Sequence, residues 1–131
     1  MNKQIKQLGI NRYGIIQLSD IQFGRKHRFA NPSDFVDKLI DDINKVSQEH
    51  NLRSKYIVLS GDITETGNAK EFSRAASILG TLSDRLGVER KNILCVPGNH
   101  DVNWKLAENN KDSNKNYDEQ LKFEPYFKFV R

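Results

Sequence analysis

The stretch that decides the fold is NILCVPGNHD, which occupies residues 92–101. Its first five residues form a short, largely apolar run with β-branched side chains, and a Pro-Gly turn signal ends the run. This pattern predicts a buried strand that stops at residue 96. The turn then carries Asn99, His100 and Asp101, whose side chains can bind a metal ion or transfer a proton. The stretch therefore predicts a strand whose carboxyl end presents reactive groups.

Two further apolar runs have the same character, YGIIQL at residues 13–18 and YIVL at residues 56–59. The segments between the runs show helical spacing of apolar residues, over 35–46 after an Asn-Pro-Ser start signal and over 72–86 before a C-capping Gly87. The predicted order is strand, helix, strand, helix, strand. This order predicts an α/β fold, layered, with a parallel sheet at its core, right-handed crossovers and flanking helices.

Polar residues follow each predicted strand, at the edge where parallel sheets gather their ligands. The segments concerned are SDIQFG at 19–24, SGDIT at 60–64 and PGNHD at 97–101. They bring five candidate side chains to one edge: Asp20, Asp62, Asn99, His100 and Asp101. Crowded carboxylates would repel one another without a cation, and this mixture of carboxylate, amide oxygen and imidazole suits Mn, Fe or Zn. The sequence therefore predicts a divalent metal site.

Length and composition limit the class of protein. The 131 residues suffice for one domain, and the content of 37% hydrophobic and 29% charged residues excludes collagen-like and wholly disordered chains. No apolar run approaches the ~18 residues of a membrane span, and the first residues lack a signal-peptide pattern. The single cysteine, Cys95, lies in an apolar strand and cannot form an internal disulfide. We therefore expect an inert thiol and a cytoplasmic protein with no membrane partner.

The net charge is weakly positive, because 21 Lys and Arg residues face 17 Asp and Glu residues for a formal +4. The basic residues are interspersed with acidic ones, which favours a mixed solvated surface over a dedicated nucleic-acid stripe. A positive charge nevertheless suits anionic partners. On the basis of charge, both phosphate esters and nucleic acid are therefore possible partners.

The sequence changes character after Trp104. Residues 105–117 are rich in Asn, Lys and Asp, which predicts a polar loop. Aromatic side chains return over 118–131, where we expect the start of further elements. We therefore interpret residues 1–131 as the N-terminal part of one domain, with its motifs in 13–104 and with a C-terminal continuation of the same domain still to come.

The three polar motifs, in their order along the chain, resemble those of the calcineurin-like metallophosphoesterase superfamily. That family carries Asp-x-His, then Gly-Asp, then Gly-Asn-His followed by Asp or Glu. The matching segments here are Asp20-Ile21-Gln22, Gly61-Asp62 and Gly98-Asn99-His100-Asp101, each after a predicted strand. The last segment is the specific one, and the resemblance covers residues 13–104, the first part of a family domain.

The resemblance implies two divalent metal ions, most readily Mn, with Fe or Zn as alternatives. Asp62 would bridge the two ions. Asp20 and the candidate ligand Gln22 would serve the first ion, and the amide oxygen of Asn99 would serve the second. The ions would activate a water molecule as hydroxide for hydrolysis of a phosphomonoester or a phosphodiester.

The resemblance also implies how the substrate is handled. His100 would lie at the phosphate, together with Asn99, and would stabilise the transition state or protonate the leaving oxygen. Asp101 would orient the imidazole of His100. A histidine held by a carboxylate has the pKa range and the tautomer that acid catalysis needs.

The chain departs from the family pattern at two points. Gln22 stands where the family has histidine, and its neutral amide oxygen is a poorer ligand for Zn or Fe, with His27 as a nearby alternative. Beyond His100 the sequence has no histidine, whereas the family uses later Gly-His and Gly-His-x-His motifs. We expect this fragment alone to be inactive. Two other interpretations stay open, a degenerate binding scaffold and a nuclease or sensor module of a larger protein.

Overall fold

The chain alternates strands and helices in the predicted order. The computed structural model describes residues 12–24, 32–111 and 120–131. Its elements are β1 (Arg12–Leu18), α1 (Pro32–His50), β2 (Leu52–Ser60), α2 (Ala69–Leu86), β3 (Ile93–Val96), α3 (Trp104–Asn109) and α4 (Glu124–Phe129). In this part of the chain, 3₁₀ turns occupy Arg90–Asn92, Asn99–Asp101 and Leu121–Phe123. None of the described helices is long and apolar enough to cross a bilayer.

The strands described here form one parallel sheet with β2 between β1 and β3. Ile57 of β2 lies opposite Ile16 of β1 and Ile93 of β3, so the inner side chains of the three strands form rows. β2 begins at Leu52, earlier than the apolar run that predicted it, because its polar first residues also pair with β1. The parallel sheet with flanking helices confirms the predicted α/β fold.

One face of the sheet is covered by helices α1 and α2. Ile57 and Leu59 are fully buried and belong to a single hydrophobic cluster with side chains of both helices. The helices contribute apolar residues at the spacing that predicted them: Val36, Ile40, Phe72, Ala75, Leu79 and Leu82. Burial of these side chains, at roughly 25 cal/mol per Å² of apolar surface, fixes the helices on the sheet.

Helix α2 has a well-defined start and end. The side-chain oxygen of Asn68 accepts hydrogen bonds from the backbone N–H groups of Lys70 and Glu71, both at 3.0 Å. Gly87 follows the last turn with φ 65°, which confirms the predicted C-cap, because glycine adopts this left-handed conformation without steric cost. The Asn68 cap sets the end of the loop between β2 and α2, which carries part of the candidate site.

The opposite face of the sheet is apolar and exposed. We call it the outer sheet face; its members are Tyr13, Ile15, Tyr56, Leu94 and Val96. Ile15 is 67% exposed, Val96 56% and Leu94 53%, and Ile15 lies opposite Tyr56 in the strand register. Parallel sheets are normally covered on both faces, whereas the side chains of this one are exposed.

The predicted polar loop over 105–117 is wrong in its first part, because α3 occupies Trp104–Asn109. The side chain of Asn103 caps this helix by accepting the N–H of Leu106 at 2.9 Å. Residues 112–117 of the predicted loop lie outside the described residues. The aromatic segment forms α4, in which Tyr126 is buried beside Phe72 of α2.

Candidate metal centre and phosphate site

The loops after β1 and β2 run side by side at the carboxyl edge of the sheet. The backbone N–H of Asp20 donates to the carbonyl of Gly61 at 3.3 Å, and that of Gln22 donates to the carbonyl of Asp62 at 3.0 Å. These bonds extend the parallel pairing past the ends of the strands. They bring the backbones of the predicted ligands Asp20, Gln22 and Asp62 together at this edge.

The same three residues have unusual backbone conformations. Asp20 has φ 56°, Gln22 φ 49° and Asp62 φ 50°, all in the left-handed region. Among the other described non-glycine residues only Asn51, in the turn between α1 and β2, shares this feature. A non-glycine residue in a sparsely populated conformation costs roughly 1–3 kcal/mol, and such residues concentrate at functional sites. Three of the four predicted metal ligands thus share this conformation, and the fourth, Asn99, does not.

The loop after β3 is tied to the loop after β2 through Asp62. Oδ1 of Asp62 accepts the backbone N–H of His100 at 3.0 Å. The 3₁₀ turn Asn99–Asp101 thereby places His100 and Asn99 beside the predicted bridging carboxylate. Asn99 is exposed at the start of this turn, and Gln22 is half-buried across the edge.

Asp101 does not orient the imidazole of His100, so the role predicted for it is wrong. Its carboxylate is fully buried and accepts four hydrogen bonds from other groups. Oδ1 takes the N–H and the hydroxyl of Thr64 at 2.8 and 2.9 Å, and Oδ2 takes the N–H groups of Ile63 and Gly98 at 3.1 and 2.9 Å. The carboxylate joins the two loops instead, because a buried charge needs several donors around it.

The imidazole of His100 is held by a backbone carbonyl. Its Nδ1 lies 2.9 Å from the carbonyl oxygen of Glu65. A carbonyl can only accept, so Nδ1 carries the hydrogen and Nε2 is left for a substrate oxygen. The sequence could not have pointed to Glu65, because the contact uses an atom that every residue has.

The donors at this edge are oxygen atoms of two carboxylates and two amides. The carboxylate of Asp20 accepts a hydrogen bond from the hydroxyl of Ser19. Within residues 12–24, 32–111 and 120–131, no group of three His, Cys, Asp or Glu side chains could hold a metal ion by itself, so the amide oxygens of Gln22 and Asn99 count among the candidate donors. The donor chemistry of Asp20, Asp62, Gln22 and Asn99 fits a hard divalent cation such as Mn better than Zn. The predicted alternative ligand His27 lies outside the described residues.

Two aromatic side chains flank the motif loops. Phe23 is 1% exposed and packs edge-on against Phe35 at 6.0 Å between ring centroids, so it belongs to the core. Trp104 is exposed, and the Nζ of Lys122 lies 4.7 Å from its ring centroid. These contacts account for both residues as packing elements of the loops.

Sequence comparison identifies the protein family of the chain. The model of the calcineurin-like phosphoesterase family matches residues 13–130, so the chain belongs to that family. Membership supports phosphate-ester hydrolysis, with the family's general use of divalent metals.

One relative gives a more specific similarity. The glycerophosphodiester phosphodiesterase GpdQ of Enterobacter lignolyticus (strain SCF1) is 32% identical over 90 residues. The aligned part is 66% of this chain and 29% of the relative, so the chain spans less than a third of that enzyme.

Proposed function

We propose that the protein is a metal-dependent phosphoesterase that hydrolyses a phosphodiester, and that this chain supplies its metal- and phosphate-binding edge. The observation that supports the proposal is the hydrogen bond from the backbone N–H of His100 to Oδ1 of Asp62. It joins the turn of the predicted acid to a predicted metal ligand. The printed name of the relative favours a diester over a monoester as the substrate.

Four residues would hold the metal ions: Asp20, Gln22, Asp62 and Asn99. Divalent cations bound there would lower the pKa of a water molecule and offset the negative charge of the phosphate. Mn fits the oxygen-rich donor set best, with Fe or Zn as alternatives.

His100 would handle the leaving group. Its Nδ1–H is engaged by the carbonyl of Glu65, so Nε2 is the nitrogen that would take up a proton and then, from the protonated ring, donate it to the departing oxygen. The amide of Asn99, exposed in the same turn, would bind a phosphate oxygen. Asp101 keeps this turn in place through its bonds to both loops.

The outer sheet face would be covered by a C-terminal continuation of the same domain. Its apolar side chains match the inner layer of a two-sided parallel sheet. The short span of the chain relative to GpdQ supports this proposal.

The decisive experiment is diester hydrolysis by the full-length protein as a function of metal. We expect bis(p-nitrophenyl) phosphate to be hydrolysed after chelation only when Mn²⁺ is restored, and more efficiently than p-nitrophenyl phosphate. Asp62→Asn should abolish turnover because this one carboxylate would serve both ions. Asp84→Asn, an exposed aspartate of α2, is the matched control and should leave turnover intact. Undiminished turnover by Asp62→Asn, or by the chelated protein, would refute the proposal.

A further inference from the structure

Thr64 is a fully buried polar residue at the centre of the candidate site. Its hydroxyl accepts the N–H of Gly67 at 3.1 Å and lies within donating distance of two acceptors. These acceptors are Oδ1 of Asp101 at 2.9 Å and the carbonyl oxygen of His100 at 3.1 Å. One side chain thus meets three different points of the two motif loops.

Thr64 is linked to both partners of the hydrogen bond that holds the imidazole, the carbonyl of Glu65 and the residue His100. At one end, Thr64 precedes Glu65, whose carbonyl oxygen lies 2.9 Å from Nδ1 of His100. At the other end, the hydroxyl of Thr64 reaches the main chain of His100 itself. The bond from Gly67 closes the turn around Glu65, so the direction of the Glu65 carbonyl depends on the same hydroxyl.

We propose that Thr64 is a positioning residue that sets the tautomer of His100. Its hydroxyl fixes the Glu65 carbonyl against Nδ1, which keeps the hydrogen of the neutral ring on Nδ1 and leaves Nε2 for the substrate. The catalytic use of Nε2 rests on the proposed function, but the tautomer is a property of the chain itself. An experiment can therefore refute the proposed tautomer without refuting the proposed function, and the reverse.

A role limited to core packing makes a different prediction. Valine has nearly the shape of threonine, so Thr64→Val would keep the packing and remove only the hydroxyl. The N–H of Gly67 would then lose its acceptor, and Asp101 and the carbonyl of His100 would lose the single hydrogen that the hydroxyl can donate to one or the other. If Thr64 only filled space, the imidazole would be unaffected.

The test is the tautomer of His100 in the ¹⁵N-labelled full-length protein, read from long-range ¹H–¹⁵N correlation spectra recorded over a pH series. The signals of His100 are assigned by their loss in a His100→Gln variant. We expect wild type to show the Nδ1–H form. Thr64→Val should shift His100 to a mixture of tautomers, while Thr64→Ser, which restores the hydroxyl, should retain the wild-type signature. Thr81→Val is the matched control, because Thr81 is exposed and its hydroxyl bonds only within α2.

Two outcomes would overturn the proposal. An Nε2–H form in wild type would do so without any variant, which covers the case in which Thr64→Val fails to fold. A folded Thr64→Val protein with an unchanged Nδ1–H signature would do so as well. In the full-length protein we expect Thr64→Val to lower kcat about tenfold or more with little change in KM, since general acid catalysis contributes ~10²–10⁴-fold. If wild type hydrolyses no phosphate ester, the proposed function fails while the tautomer result stands.

Discussion

Gly98 lies so close to Asp62 that a methyl group on its Cα would come within 2.1 Å of Oδ1 and 2.4 Å of the backbone nitrogen of Asp62. The φ of Gly98 is −97°, a value open to any residue, so glycine is required here for space and not for conformational freedom. The glycine of the Gly-Asn-His-Asp motif thus lets the loop after β3 press directly on the predicted bridging carboxylate. The same carboxylate oxygen accepts the N–H of His100, so the spacing of both loops depends on this contact.

Gly98→Ala is therefore expected to push the two loops apart. We expect a loss of about 1–3 kcal/mol in the free energy of unfolding, as for other overpacked sites. The full-length enzyme should lose about 10²-fold in turnover, because displacement of a catalytic group by ~1 Å has an effect of that size. Gly80→Ala is the control, since a Cβ at Gly80 in α2 meets no atom within 4 Å and alanine favours a helix. Equal stability and turnover in the two variants would contradict the close contact.

The second prediction concerns the single thiol. Burial raises the pKa of Cys95 from 9.0 to about 11, and the nearby Asp101 carboxylate acts in the same direction. We therefore expect Cys95 to react with thiol reagents at neutral pH far more slowly in the native protein than in the unfolded one. Labelling rates with and without denaturant test this, and equal rates would contradict it.

The shifted pKa also predicts how stability depends on pH. An unfolded chain ionises the thiol from pH 9.0 upward, whereas the folded chain keeps it neutral until about 11. The contribution of Cys95 is thus fully present below pH 9.0 and is lost as the pH rises toward 11. Denaturant titrations should show a shallower alkaline loss of stability for Cys95→Ala than for wild type.

Much of the fold could be predicted because local signals and tertiary packing agree. The inner positions of α1 and α2 follow a helical period, and Gly87 ends α2 as its sequence position indicates. The loop prediction failed for residues 105–109 because the polar composition gave no sign that the side chain of Asn103 caps α3 there. Composition describes a solvated surface equally well in a loop or in a short helix.

The candidate site could be located but not fully interpreted from the sequence. The strand order brought Asp20, Asp62 and His100 to one edge, since parallel strands present their carboxyl ends together. The role of Asp101 could not be predicted, because the tight turn decides which donors its carboxylate meets. The partner of His100 is a main-chain atom of Glu65, which has no signature in residue types.

A fourth prediction follows from the outer sheet face. We expect residues 1–131, expressed alone, to self-associate through Ile15, Leu94 and Val96, because exposed apolar patches and sheet edges promote association. The triple variant Ile15→Thr, Leu94→Thr, Val96→Thr keeps β-propensity and should elute as a monomer in size-exclusion chromatography. Val46→Thr, an isolated exposed apolar residue on α1, should leave the association unchanged. If wild-type residues 1–131 elute only as a monomer at all protein concentrations tested, the outer sheet face does not cause self-association and the prediction is wrong.

The last prediction concerns Gln22, the predicted ligand that differs from the family histidine. Its backbone is bonded to Asp62 and has φ 49°, a conformation in which histidine is also found, so Gln22→His should fold without rearrangement. Imidazole binds Mn, Fe or Zn more strongly than a neutral amide oxygen does. In the full-length protein we expect Gln22→His to bind metal about tenfold more tightly, roughly 1.4 kcal/mol, and to retain more metal after dialysis.

Elemental analysis after dialysis measures the metal content, and titration of the apoprotein with Mn²⁺ measures the affinity. Gln48→His places the same new imidazole on an exposed turn of α1, so it controls for adventitious binding by an added histidine. A gain in Gln22→His that Gln48→His matches would reflect that adventitious binding. Wild-type protein that already holds two metals tightly, with no change in Gln22→His, would mean that Gln22 is not a deficient ligand. The position would then be filled by another group, such as His27, and the difference from the family histidine would carry no functional weight.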